Sequence, residues 1–168
     1  MSWMKPAVTV VLLVGFPLGC SAACSSISAS YMTGYVPQKF GLTRAYSEGT
    51  CVNNGLAYVG AIAVGLDSGT IQEIDEEGIG YFADVDAARD RSRSIHYRNW
   101  KETPVPALEF STEPKSNFFC GSSHGWSWPA GFWEALQAPG SFYSDDLGRR
   151  SAVVVPSLGI IAISMQTR

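Results

Sequence analysis

The chain has 168 residues, of which 46% are hydrophobic and 16% charged, a balance that excludes disordered and fibrous classes and fits one globular domain. Its net charge of −3 argues against sequence-independent nucleic-acid binding, which needs a basic face.

The first element in chain order is a leader. Lys5 precedes an apolar run from Ala7 to Gly19, followed by Gly19-Cys20-Ser21-Ala22-Ala23-Cys24. A positive start, a short apolar stretch and small residues at the exit define a secretory signal over residues 1–23. The run is too short for a membrane-spanning helix, and Pro17 would interrupt one. The exit resembles the lipobox of bacterial lipoproteins, in which small residues precede a cysteine that is acylated and becomes the mature N-terminus. Two frames fit, Leu18-Gly19-Cys20 and Ala22-Ala23-Cys24, although Pro17 and Ser21 stand where the family usually has an aliphatic residue. The resemblance implies an exported protein held at a membrane of the cell envelope by acyl chains on Cys24 or Cys20. Cysteine parity favours Cys24, because that choice leaves Cys51 and Cys120 as a pair suited to a disulfide in an oxidising compartment.

Residues 24–50, rich in Ser, Gly and Thr, are expected to form a tether, with candidate edge strands at Tyr31–Val36 and Phe40–Tyr46. A single globular domain then spans 51–168. Leu56–Leu66 is a continuous apolar run between turn-forming segments and predicts a buried strand. Thr70–Ile74 and Ile79–Phe82 read as further strands around the acidic turn Asp75-Glu76-Glu77-Gly78. Asp84 is a good N-cap for a helix carrying Val85, Ala88, Ser92 and Ile95 on one face. Prolines make 101–118 mostly loop, and Pro129 opens a second short helix reaching Gln137. Ala152–Val155, Pro156–Gly159 and Ile160–Ile163 predict a central, buried hairpin. The fold class is therefore α+β: a mostly antiparallel sheet with two short helices and a C-terminal β-hairpin.

Each candidate chemistry lacks a partner. Gly121-Ser122-Ser123-His124-Gly125 matches the G-x-S-x-G nucleophile turn of α/β-hydrolases, yet no histidine follows His124 to act in the expected order. Asp67-Ser68-Gly69-Thr70 matches an aspartic-protease loop without the second aspartate that would share its proton, and a tight turn explains the same residues. Cys120 and His124 make one close ligand pair where structural zinc sites show two, so neither metal nor cofactor is expected. Cys51 with His96 or His124 would make a cysteine-hydrolase dyad by chain order, but nothing around Cys51-Val52-Asn53-Asn54 supports the lowered thiol pKa that such a nucleophile needs. The basic residues Arg89, Arg91, Arg93, Arg98 and Lys101 read as a solvated helix face. Arg150–Met165 and Tyr97-Arg98-Asn99 faintly resemble parts of penicillin-binding-protein-like serine hydrolases, but the S-x-x-K box is absent from the chain.

Trp126, Trp128 and Trp133 belong to an aromatic cluster that reads either as core or as a ligand platform. The sequence thus points to a lipid-anchored envelope protein with a non-catalytic binding or assembly role, its partner another envelope protein or a cell-wall ligand. The alternatives are a small hydrolase using Ser123 or Cys51 with a histidine, and a sugar- or peptidoglycan-binding module built on the tryptophans.

Overall fold

Three strands with long apolar stretches, Ala57–Leu66, Arg150–Val155 and Ile160–Thr167, lie side by side in a sheet that is covered on both faces. That double burial explains why stretches such as Ala152–Val155 and Ile160–Ile163 are apolar throughout rather than alternating. The structure is a computed structural model and describes residues 29–53, 57–93, 95–106, 128–146 and 150–167. The described elements are α1 (Ala29–Thr33), β1 (Leu42–Asn53), β2 (Ala57–Leu66), α2 (Ser68–Glu77), β3 (Lys101–Glu102), α3 (Phe132–Ala135), β4 (Phe142–Asp146), β5 (Arg150–Val155) and β6 (Ile160–Thr167). Short 3-10 helices occupy Gly78–Asp84, Arg91–Arg93 and Pro156–Leu158.

The six strands run in the order β1-β2-β6-β5-β4-β3, and every neighbouring pair is antiparallel. The α+β class holds, with the β5–β6 hairpin at the centre. Pro156 opens its connection, and Gly159 closes it at φ 62°, in the left-handed region that glycine enters without a steric penalty. The Leu66 N–H donates to the Gly159 carbonyl at 2.8 Å, which ties the turn to the end of β2.

Alternate residues of these strands feed two cores. On one face Ile62, Val64, Val154, Ile161 and Ile163 meet Phe40, Ile74, Tyr81 and Phe82. On the other, Ala61, Ala63, Ala162, Val153 and Ile160 pack with Trp128, Phe132 and Leu136. Met32, Val36 and Phe40 are buried as well, so the chain before residue 51 already contributes to the core.

Several expectations are corrected. Tyr31–Val36 is not a strand: α1 ends at Thr33, and the turn after it buries Tyr35 and Val36. Thr70–Ile74 and Ile79–Phe82 are helical, the first within α2 and the second within the 3-10 helix that follows. Thr70 and Ile74, one turn apart, supply the buried side of α2. The helix expected after Asp84 is also absent. Its apolar residues Val85, Ala88 and Ile95 are buried, but isolated bridges pair Ala88 with Pro37 and Ala87 with His96. Backbone hydrogen bonds fix this path: Gln38 N–H to the Ala87 carbonyl at 2.9 Å, and Arg89 N–H to the Val36 carbonyl at 2.8 Å.

One polar atom in the second core is unmatched. Ser164 pairs across the sheet with Ser151 and Ala61, is fully buried, and its Oγ has no hydrogen-bond partner among the described residues. A buried hydroxyl without a partner costs about 1–3 kcal/mol of desolvation. Ser164→Ala is therefore expected to raise stability by about 1 kcal/mol, read as a higher denaturant midpoint at unchanged slope.

Candidate functional site

The bridges that replace the expected helix bring residues 79–86 against 97–100 and open a groove between them. It encloses about 480 Å³ and is lined by Ile79, Phe82, Asp86, Arg98, Asn99 and Trp100, among others. Trp100 is half-buried. Its ring lies 4.7 Å from that of Phe82, and its indole N–H donates to the Val85 carbonyl at 2.9 Å. The donor is thereby used inward and the ring is held rigidly. Ile79 is 47% exposed, one of two large hydrophobic side chains that stand open among the described residues.

The polar groups of the groove are less committed. Arg98 is anchored through its main chain, whose carbonyl accepts from Ser144 Oγ at 2.7 Å, while its guanidinium has no partner among the described residues. The Asn99 amide likewise has none. Asn99 adopts φ 54°, a left-handed conformation that asparagine tolerates better than most residues. Asp86 Oδ2 lies 3.8 Å from His96 Nδ1, and both side chains are largely exposed.

A second depression of about 360 Å³ shares Val85 and Asp86 with the first and continues to Gln38, Lys39 and Asp84. Here the charges are matched. Lys39 Nζ donates to Asp84 Oδ1 at 2.7 Å and to the Tyr81 carbonyl at 2.8 Å, and sits 3.9 Å from the centroid of the Tyr81 ring. The hydrogen bond from Lys39 holds the Asp84 carboxyl below its ordinary range. Burial, followed by the negative charge of Glu73, pushes the Tyr81 phenol up to about 12.

No protein-family model matches the chain, and no curated protein or solved structure is significantly similar to it.

Cys20, Cys24, Cys120, Ser123, His124 and Trp126 fall outside the described residues. Cys51 is in β1, in register with Val59 of β2. Trp128 is buried and stacks on Phe132, with ring centroids 4.3 Å apart and planes 12° from parallel, and Trp133 is half-buried beside them. The Asp67-Ser68-Gly69-Thr70 motif is the start of α2 rather than a tight turn or a protease loop. Asp67 is the N-cap: its Oδ1 accepts the Thr70 N–H at 2.8 Å, which lowers the carboxyl below its ordinary range.

The basic stretch is not a helix face either. Arg89 donates to the Phe40 carbonyl and Arg91 to Gln38 Oε1, whereas Arg98 lines the groove. Among the described residues no cluster of three or more His, Cys, Asp and Glu side chains is placed to hold a metal ion, and no helix is long and apolar enough to cross a membrane. Sequence reasoning missed the groove itself. Its one visible signal was the local triplet Arg98-Asn99-Trp100, a cation, an amide and an indole in succession.

Proposed function

We propose that this chain is an exported, lipid-anchored protein of the cell envelope that acts by binding rather than by catalysis. The observation that carries the binding role is the groove. An exposed aliphatic side chain and a rigid indole lie beside a guanidinium and an amide that have no partners within the described protein. Apolar surface with a few convergent polar groups is the usual composition of a ligand site. The leader, with Lys5, the apolar run to Gly19 and the small residues before Cys20 and Cys24, supports the envelope location.

The test is an intact mass of the full chain taken from its native membrane fraction, with and without reductant. The expected species begins at Cys24, carries acyl mass, and gains two hydrogens on reduction, one disulfide's worth for the Cys51–Cys120 pair. A soluble, unacylated species that retains residues 1–23 would overturn the anchored reading.

A further inference from the structure

The two depressions adjoin at Val85 and Asp86, one reaching Ile79 and Trp100 and the other Lys39. The charges along them are unevenly matched. At the far end Lys39 is satisfied by Asp84 at 2.7 Å. At the near end Arg98 is exposed and has no anionic partner among the described residues, next to the equally uncommitted Asn99 amide. Asp86, on the shared ridge, has only His96 nearby, at 3.8 Å.

From this arrangement we propose that the groove binds short peptides of the cell wall that carry a carboxylate, an amine and an aliphatic side chain. Arg98 takes the carboxylate, because a guanidinium forks onto two oxygens at once. Asn99 supplies an amide beside it. Asp86 faces the amine, and Ile79 with Trp100 receives the aliphatic group. A neutral glycan would match the indole but would cover Arg98 without giving it a counter-charge. Burying an unpaired cation is unfavourable, so the peptide is the better fit. The inference rests on the envelope location proposed above, which puts the chain within reach of such peptides.

The experiment is titration calorimetry on the purified full chain. One probe is a synthetic tetrapeptide of alanine, isoglutamate, lysine and D-alanine with free carboxylates. The others are the same peptide with its carboxylates amidated, and a tetramer of N-acetylglucosamine. The tetrapeptide with free carboxylates is expected to bind, with amidation or Arg98→Ala each weakening it about tenfold or more, the usual effect of losing a charge-assisted hydrogen bond. Ile79→Ser should weaken it about threefold through lost apolar contact, and Glu134→Gln, in α3 beneath the opposite face, should leave it unchanged.

Binding of the glycan in place of the peptide would overturn the proposal. So would peptide binding that is indifferent to Arg98 and to amidation, or binding of none of the three probes. Should Arg98→Ala fail to fold, the amidated peptide asks the same question of the unaltered chain. Calorimetry reads the groove wherever the chain resides, and the intact mass reads the anchor whatever the groove binds, so the two readings fail separately.

Discussion

Gly41→Ala is expected to destabilise the chain by about 1–3 kcal/mol, the usual penalty for forcing atoms into filled space. A Cβ on Gly41 would stand 1.8 Å from Asp67 Oδ2 and 2.5 Å from Asp67 Cγ. The carboxylate is not at liberty to move, because its other oxygen accepts the Thr70 N–H that opens α2. The surrounding backbone is tied in the same knot: Asp67 N–H donates to the Gly41 carbonyl at 3.0 Å, and Gly41 N–H donates to Thr70 Oγ1 at 2.9 Å. Relief of the clash must therefore sacrifice the cap or part the two segments.

A double-mutant cycle checks this account. If the clash falls on the carboxylate, Gly41→Ala made on an Asp67→Ala background should cost far less than it does alone. Strictly additive costs would place the clash on the backbone and sink the explanation. Acid titration gives a second reading. The folded Asp67 carboxyl titrates below its ordinary value of 3.8, so its contribution is present above that pH and is lost as the pH falls through the folded value. In Gly41→Ala, with the carboxylate pushed off the Thr70 N–H, that acid-dependent loss should shrink.

Legibility from sequence divides along a physical line. The β5–β6 hairpin and β2 announce themselves because each is an apolar run bounded by its own turn residues, such as Pro156 and Gly159. Local information is enough there. Residues 70–82 mislead because Ile71, Ile74 and Ile79 are sparse among acidic residues, and Asp67-Ser68-Gly69 serves equally as a turn or as a helix start. The backbone settles the matter through the Asp67 cap. Residues 85–95 mislead for the opposite reason. A thin apolar stripe suggests a helix, but the segment bonds instead to residues 36–38, about fifty positions away. That distant pairing also creates the groove, by setting Ile79 and Asp86 beside Arg98 and Trp100. No local pattern encodes such a juxtaposition.

In the aromatic cluster at 126–133, Trp128→Ala is expected to cost about 3–5 kcal/mol of stability, the range for removing a large aromatic side chain from a core. Trp128 is only 8% exposed. Its ring stacks on Phe132, which is fully buried, and Trp133 meets both rings edge-on at 6.3 and 5.2 Å. Beside them in the same core lie Ala61, Ala63 and Ala162, whose short side chains leave depth above the sheet for large rings to fill. Truncating either inner ring leaves a void there that neighbouring alanines are too short to close. Phe132→Ala should accordingly match Trp128→Ala, whereas Trp133→Ala, at a half-buried position, should cost distinctly less. A ligand platform behaves otherwise. Its rings face solvent, and their removal abolishes binding while stability stays level. Denaturant unfolding of the three variants separates the cases: a lower midpoint at constant slope marks Trp128 and Phe132 as core. An unchanged midpoint for Trp128→Ala, together with loss of retention on insoluble cell-wall material, would move the binding site from the Arg98 groove to this opposite face of the sheet.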